Sequence, residues 1–450
     1  MRGDLLRIAD CRLDKLSDNG SDLWLFPKRG DRYGDKIEDQ SIISVVGDRF
    51  TTGNIMGFVG FGDTELTIRS RFTHNDEQDW FMEYMLQKVF AINIFNLRHG
   101  RGVDEALNIT PLMFPYFLQK ALCQGVYREY VRCEHNDSRV RGAIDFNAHI
   151  KANYPFKNGK VAYTTREYIY DNSITQLIRH TIEFLKTDKM SWEILYSNSE
   201  TQTNIKQIIN ATPSYRKGDL QKVLLANVKP KIHPYYSEYG PLQKLCLQIL
   251  RREKLSYGQS SERIYGILFD GAWLWEEYLN LTLSKAGFIH PQNRTGKGQR
   301  LYPFRNNKKY PRYPDFLKDN IVADAKYKRM VDLSSDSFGL NVNIDRNDLN
   351  QMISYLHITS SNAGIFICPT ELLAVNPNTG EYYPDIEFVL SETSLFAYRV
   401  GELDGYGGHV YVLGVNIPQS LSSYKEFAEQ MQKTEEVLFK SVSQIAAGRS

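Results

Sequence analysis

Between Pro314 and Arg329 the chain reads PDFLKDNIVADAKYKR, two strand-length runs on either side of Asp319-Asn320. Short polar side chains bond their own backbone and tolerate left-handed geometry, so this spacing predicts a hairpin that turns at Lys318–Asn320. Side chains alternate between the two faces of a strand. On the second strand Val322, Asp324, Lys326 and Lys328 share one face. Ile321, Ala323, Ala325 and Tyr327 share the other, which is expected to be the core side. Asp315 stands nine positions before Asp324. Folding the hairpin therefore brings both carboxylates to one face, with the Lys326 ammonium pointing at the same place.

Two close carboxylates repel, and one takes up a proton unless a cation lies between them. Hard oxygen ligands of this kind suit Mg²⁺, which keeps several waters and draws further oxygens from substrate phosphates. The backbone carbonyl of Ala325 is a further candidate ligand. Lys326 would either orient or help deprotonate an attacking water, or stabilise charge building on a phosphate oxygen. The chemistry this set suits is phosphodiester hydrolysis. The plainer reading is an incidental ion pair on a solvated sheet edge, and the rest of the chain has to decide between them.

The remaining sequence reads as α+β. A chain of 450 residues is long enough for two to four domains. Residues 1–75 look β-rich: NIMGFVGFGDTELTIRSRF gives two alternating runs around Gly62-Asp63, a hairpin with Leu66 and Ile68 on one side and Glu65, Thr67 and Arg69 on the other. Residues 76–255 read as mostly helical. WFMEYMLQKVFAINIFNL is apolar nearly all round and predicts a buried helix, and FPYFLQKALCQGVYREYVRCEH continues the helical texture. RVRGAIDFNAHI is a short strand-like interruption. In DNSITQLIRHTIEFL, Ile174, Leu177, Ile178, Thr181, Ile182 and Leu185 recur at helical spacing after a polar cap. Residues 256–450 alternate helix and strand: a helix over FDGAWLWEEYLNLTLSKAGF ending at Gly287, the hairpin, a helix over RNDLNQMISYLHIT, strands at AGIFICP, Ile386–Leu390 and HVYVLGVNIP, and a polar helix from about Leu421.

Several classes are disfavoured. The net charge is +2, so any nucleic-acid surface must be local. The five cysteines are scattered, without a CxxC pair, which argues against a structural zinc site or a disulfide framework. No signal-like apolar run opens the sequence and no stretch is apolar enough to span a membrane, so a cytoplasmic protein is expected.

Pro314-Asp315 followed by Asp324-Ala325-Lys326 resembles the PD-(D/E)xK nuclease signature, and the order of elements agrees with a restriction-endonuclease-like α/β domain. The signature is short, and other features strengthen it. LWEEYL on the preceding helix offers Glu276, or its neighbour Glu277, where related nucleases carry a glutamate at the metal. Gln351 and Tyr355 on the following helix look like the QxxxY element of some members, in which the glutamine is near the active site. Pro384-Asp385 is a useful control: no lysine occurs between Lys328 and Lys425, so that pair cannot complete the motif.

Over roughly residues 45–370 the chain resembles the McrC family, the nuclease subunit of McrBC-type restriction systems, and its LlaJI-like relatives. TGNIMGFVGFGDTELTIRSRF, LCQGVYREY, RVRGAIDF, YDNSITQLIRHTIEFL, LFDGAWLWEEYL, YPDF, ADAKYKR and NDLNQMISY occur in the family's order, with Arg71 where a lysine is usual. The resemblance implies a Mg²⁺-dependent DNA endonuclease, with Asp315, Asp324, Glu276 and the Ala325 carbonyl at the metal, and Lys326 and Gln351 beside it. It also implies a partner, an McrB-like AAA+ GTPase hexamer bound through the N-terminal part. RTGKGQR lacks the glycine spacing and Ser/Thr of a P-loop, so the motor is expected in trans. Arg29 and Arg32, in PKRGDRYGDK, are candidates for a finger that enters the ring. Double-stranded DNA would be held through its phosphates by Lys297, Arg300, Arg305, Lys308, Lys309, Arg312 and Lys328, which carry no sequence information. Two alternatives stand beside this reading: a regulatory subunit that only activates the ring, and a repair nuclease acting alone. DNA specificity, the partner's nucleotide and the stoichiometry are not legible in the sequence.

Overall fold

The computed structural model describes residues 8–9, 13, 22–27, 41–46, 49–61, 64–73, 79–90, 111, 113–156, 158–187, 195–196, 199–229, 231, 233–255, 264–291, 300–333, 340–371, 386–391, 395–419 and 421–446. The chain forms two compact units: residues 1–91 with 260–450, and residues 92–259 between them in sequence.

The first unit begins with strands β1 (Asp22–Phe26), β2 (Ile43–Val46), β3 (Arg49–Thr52), β4 (Ile55–Phe61) and β5 (Thr64–Ile68), followed by helix α1 (Trp80–Phe90). β4 and β5 form the hairpin that their alternation predicts, with Phe61 opposite Thr64. Gly62 and Asp63 themselves lie outside the described residues. Ile68 is buried while Thr67 and Arg69 are exposed, as the period-two pattern requires. Most of α1 is buried, which fits a helix apolar on all sides.

The second unit comprises α2 (Phe114–Leu122), β6 (Glu129–Asp137), β7 (Ala143–Ile144), α3 (Phe146–Asn153), β8 (Val161–Ile169), α4 (Ser173–Leu185), α5 (Ser199–Ala211), α6 (Leu220–Ala226) and α7 (Tyr239–Leu255). α4 matches its prediction. Asn172 caps it, accepting from the amides of Ile174 and Thr175, while the Thr175 hydroxyl accepts from the Asn172 amide. Its six expected apolar-face residues, Ile174, Leu177, Ile178, Thr181, Ile182 and Leu185, are all buried. The helical reading fails at Glu129–Asp137. That segment is a strand, half-buried and exposed residues alternating along it, in a three-stranded sheet of order β6-β8-β7. In EYVRCEHND, Tyr130 and Val131 are the strand-favouring residues, and the partner β8 is distant in sequence, so pairing rather than local texture sets the strand.

The first unit resumes with β9 (Ile264–Asp270), α8 (Gly271–Leu283), β10 (Phe316–Lys318), β11 (Ile321–Ala325), β12 (Val331–Leu333), β13 (Leu340–Val342), α9 (Arg346–Thr359), β14 (Ala363–Thr370), β15 (Ile386–Ser391), β16 (Leu395–Glu402), β17 (His409–Asn416) and α10 (Tyr424–Ala446). β9 inserts between β1 and β4, parallel to one and antiparallel to the other. The division expected at residue 75 and the division by contacts therefore differ: residues 22–68 and 264–270 contribute strands to a single sheet. Glycines permit the close approach there. Gly57 has φ +131°, and a Cβ on it would meet the Ile267 carbonyl oxygen at 2.2 Å.

The larger sheet has the order β10-β11-β14-β17-β16-β15. β11, β14 and β17 run parallel, and the remaining neighbours are antiparallel. The expectation of one core-facing side for β11 needs correction. Ile321, Val322, Ala323 and Asp324 are all buried, because a parallel central strand is covered on both faces. On the Val322 side, α9 packs Met352, Tyr355 and Leu356 against Val322, Phe366, Val410 and Val412. Each such fully buried aliphatic or aromatic side chain contributes about 2 kcal/mol. Gly364 lets the helix approach: a Cβ there would lie 2.6 Å from Met352 Sδ. On the other face Trp275 of α8 is fully buried and donates to the Ile367 carbonyl at 3.1 Å. α8 stops at Leu283, four residues before the expected end, and Gly287 follows a turn with φ +86°.

Candidate active site

The hairpin that organises the site forms as the sequence predicts. Phe316 pairs with Ala323 and Lys318 with Ile321, leaving Asp319 and Asn320 as the turn, with Asp319 at φ +44°. Continuing this register outward sets Asp315 opposite Asp324. The Asp315 carboxylate crosses to the second strand, where its Oδ2 accepts from the Ala325 amide at 2.8 Å. In an extended strand the N–H and C=O of one residue point to the same edge. The Ala325 carbonyl is thus turned toward the edge where Asp315 lies, while the next amide, of Lys326, turns the other way and donates to the Ile367 carbonyl at 2.9 Å.

Asp324 is 2% exposed and Glu276 8%, and both belong to elements packed in the interior. Glu276, not Glu277, is the buried member of its pair. Loss of water raises the Asp315 carboxyl well above the usual carboxylate range, and the Glu276 and Asp324 charges push it further. The Lys326 ammonium and the Ala325 amide pull the other way without reversing the shift. Glu276 and Asp324 thus lie within electrostatic reach of Asp315, and their repulsion is what a cation would relieve.

Lys326 Nζ lies 2.7 Å from Asp324 Oδ2, 3.1 Å from Asp348 Oδ1 and 3.2 Å from Gln351 Oε1. Burial depresses the basicity of this amine, but Asp324, Asp348 and Asp315 outweigh it, so its affinity for the proton is raised. Lys328 pairs with the other oxygen of Asp348, on the same side as Lys326. Burial alone would raise the Asp348 carboxyl, yet the hydrogen bond from Lys328 and the Lys326 charge hold it below the usual range. Gln351 Nε2 donates to the Tyr355 hydroxyl at 2.6 Å, and that hydroxyl donates to the Tyr313 carbonyl at 2.7 Å. Burial and the nearby Asp324 and Asp315 keep Tyr355 protonated. The α9 side chains thus tie Lys326 to the residue that precedes Pro314-Asp315.

Sequence reasoning missed two residues. Asp348 lies three positions before Gln351, hence on the same face of α9, and that spacing was a usable signal. His290 follows α8, donates through Nδ1 to the Asp315 carbonyl at 2.8 Å, and has Nε2 3.7 Å from Glu276 Oε1. Nothing in its sequence context distinguished it.

Asp324 Oδ2 is buried and takes no hydrogen bond of directed geometry. Its counter-charge is the Lys326 ammonium. Among the described residues no group of three or more His, Cys, Asp or Glu side chains is drawn together as a ready metal cage. The candidate donors are two carboxylates set opposite each other by the hairpin register, a strand carbonyl and a carboxylate on α8. That fits a hard cation that retains most of its own water, such as Mg²⁺, and does not fit zinc.

The basic residues expected to flank the site divide. Arg305, Lys308 and Lys309 are exposed on a loop whose ends are joined by Leu301 and Arg312, with backbone hydrogen bonds of 3.0 and 2.8 Å. Arg300 is also exposed. Lys328 is held by Asp348. Lys297, Arg29, Arg32 and Pro384-Asp385 lie outside the described residues. The RSRF segment is structural: the Ser70 hydroxyl lies 2.7 Å from the Tyr327 hydroxyl, and Phe72 and Arg71 pack on the Tyr327 ring. Among the described residues no helix is long and apolar enough to cross a membrane.

The family model described as "McrBC 5-methylcytosine restriction system component" matches residues 50–369. No curated protein matches the chain. The solved structures similar to it include two from one organism. One is a half-complex from a tetradecameric assembly of Thermococcus gammatolerans McrB AAA+ hexamers with bound McrC, 14% identical, covering 96% of this chain and 94% of that one, with a TM-score of 0.44. The other is the McrBC complex of the same organism, 15% identical, covering 63% and 80%, with a TM-score of 0.30. Both superpositions are too loose to carry residue correspondences.

Proposed function

The chain belongs to the McrBC 5-methylcytosine restriction system component family, and on that premise we propose that it is the system's Mg²⁺-dependent DNA endonuclease subunit, with a PD-(D/E)xK catalytic domain. The observation that carries this reading is the hairpin that sets Asp315 opposite Asp324, with the Lys326 ammonium beside Asp324 and Glu276 within electrostatic reach of Asp315.

Asp315, Asp324, Glu276 and the Ala325 carbonyl would hold the cation. When bound, Mg²⁺ supplies a Lewis acid and lowers the pKa of a coordinated water. The protein's own groups do the rest. Lys326 is held beside Asp324 and Asp348, where it would orient or help deprotonate an attacking water, or stabilise negative charge on a phosphate oxygen. Gln351 and Asp348 fix its side chain, and Tyr355 fixes Gln351. His290 holds the Asp315 main chain and stands beside Glu276. The exposed Arg305, Lys308 and Lys309 would neutralise phosphates of duplex DNA on either side of the scissile bond.

The partner in this reading is an McrB-like AAA+ GTPase hexamer. Its support is the family membership together with the lack of a P-loop in the sequence. The test is a plasmid-cleavage assay with that ring, nucleotide and Mg²⁺, comparing the wild type with Lys326→Ala. Loss of cutting with intact stimulation of the ring supports the assignment; undiminished cutting removes Lys326 from it. A regulatory subunit without catalysis is disfavoured by the complete set of acids and lysine.

A further inference from the structure

The ribbon formed by β6 and β8 in the second unit carries an arrangement that the nuclease reading does not use. Arg132 and Arg166 stand directly opposite each other in its register. Like charges so placed destabilise a strand pair. Arg132 has only a loose ion pair, 3.6 Å to Asp145, and both guanidinium groups are exposed. On the same face, two residues along, Tyr130 is opposite Tyr168, with ring centroids 5.0 Å apart and exposures of 65% and 46%. Arg128 extends the row, its guanidinium 3.7 Å from the centroid of the Tyr170 ring. The two opposed arginines open into a cleft of about 610 Å³, bounded on its far side by Ile144, Phe146 and Asn147. Phe146 is 70% exposed at its rim. Glu134 is exposed on this ribbon face and Asp145 also lines the cleft, two carboxylates against Arg128, Arg132 and Arg166.

Opposed arginines become favourable when an anion sits between them, and guanidinium groups match phosphate geometry. Exposed aromatic rings a strand repeat away, about 7 Å along the ribbon, suit the faces of unstacked bases. An acidic protein surface would use the arginines and leave the tyrosine pair idle. We propose that this ribbon face is a second nucleic-acid site, one that binds single-stranded DNA with Arg132 and Arg166 on phosphate and Tyr130 and Tyr168 against bases. The site is independent of the catalytic hairpin and stands whether or not that hairpin cuts DNA.

The test uses the full chain and a fluorescent oligothymidylate, with EDTA present so that cleavage is silent, and reads anisotropy across a salt series. The Arg132→Gln/Arg166→Gln variant weakens binding at least about tenfold and makes the slope of log K against log salt shallower by about 1.4, from two lost single-strand phosphate contacts. Tyr130→Ala/Tyr168→Ala weakens binding at least about fivefold with an unchanged slope. Arg166→Lys keeps the slope, which separates a charge contact from a folding defect, and melting temperatures are recorded for every variant. Wild-type failure to bind, wild-type behaviour of both double variants, or a loss with Arg166→Lys as large as with the double would overturn the proposal. So would displacement by polyglutamate as effective as by unlabelled DNA with the tyrosine variant unaffected, which would make the face a dock for an acidic protein.

Discussion

Lys326 Nζ lies 2.7 Å from Asp324 Oδ2, two residues earlier on the same face of one strand segment. The pair is buried, 17% and 3% exposed at its side chains, in a neighbourhood that also holds Asp315 and Glu276. A single ammonium therefore balances an excess of acid. Interior ion pairs are costly to desolvate and far costlier to break on one side.

Removing that ammonium should be expensive. Lys326→Met leaves Asp324 without its counter-charge and is expected to lower stability by about 3 kcal/mol. Asp324→Asn/Lys326→Met should recover most of the loss, because neither charge is then buried alone. Urea denaturation of the two variants without added metal checks this; equal losses would mean the pair is not coupled.

Asp315 sets a pH dependence of unusual sign. Its carboxyl is raised in the folded protein, by burial first and then by Glu276 and Asp324. Between the ordinary carboxylate value and the raised one, the folded state holds a proton that the unfolded state has released. Stability therefore falls as pH rises through that window, by up to about 1.4 kcal/mol per unit. Asp315→Asn should remove this slope and raise the melting temperature at neutral pH in EDTA. Melting curves across pH test it, and a slope unchanged in the variant would contradict it.

Asp348 acts through Lys326. Asp348→Asn keeps the shape of the side chain but not the charge that anchors Lys326 and Lys328. Cleavage should fall about 10–100-fold, the usual cost of losing a supporting partner, and should survive where Lys326→Ala abolishes it. The Asp348 carboxyl is held low by the two lysines, so its stabilising effect is present above the ordinary carboxylate range and is lost as pH falls through the lowered value. Parallel rate and stability profiles of the variant would expose a purely structural role if rate followed stability alone.

Gly57→Ala tests the pairing of β4 with the sequence-distant β9 in one sheet. The added Cβ would strike the Ile267 carbonyl, and φ +131° disfavours any side chain. A loss of about 3 kcal/mol or more is expected. A tolerated alanine, seen as an unchanged melting temperature, would place β9 elsewhere.

Legibility in the sequence followed the range of the interactions. The hairpin of Asp315 and Asp324 was readable because a two-residue turn and a two-residue period fix it locally. The α4 cap and its buried stripe were readable for the same reason. Glu276 against Glu277 was undecidable, since neighbouring residues on a helix differ only by what packs around them. The strand character of β6 and the pairing of β9 with β1 and β4 are not legible locally, because both are set by partners far away in the chain. Asp348 is legible in principle, because its three-residue spacing to Gln351 sets it on the same face of the helix.

The central claim is that the acids and ammonium of this hairpin hydrolyse DNA. The most direct measurement is plasmid cleavage by the chain with an McrB-like ring, nucleotide and Mg²⁺, for the wild type and Asp324→Ala, while nucleotide hydrolysis is followed in the same reactions. The account predicts cleavage only by the wild type and only with Mg²⁺, with the ring stimulated equally by both. Cleavage by Asp324→Ala at the wild-type rate would contradict it.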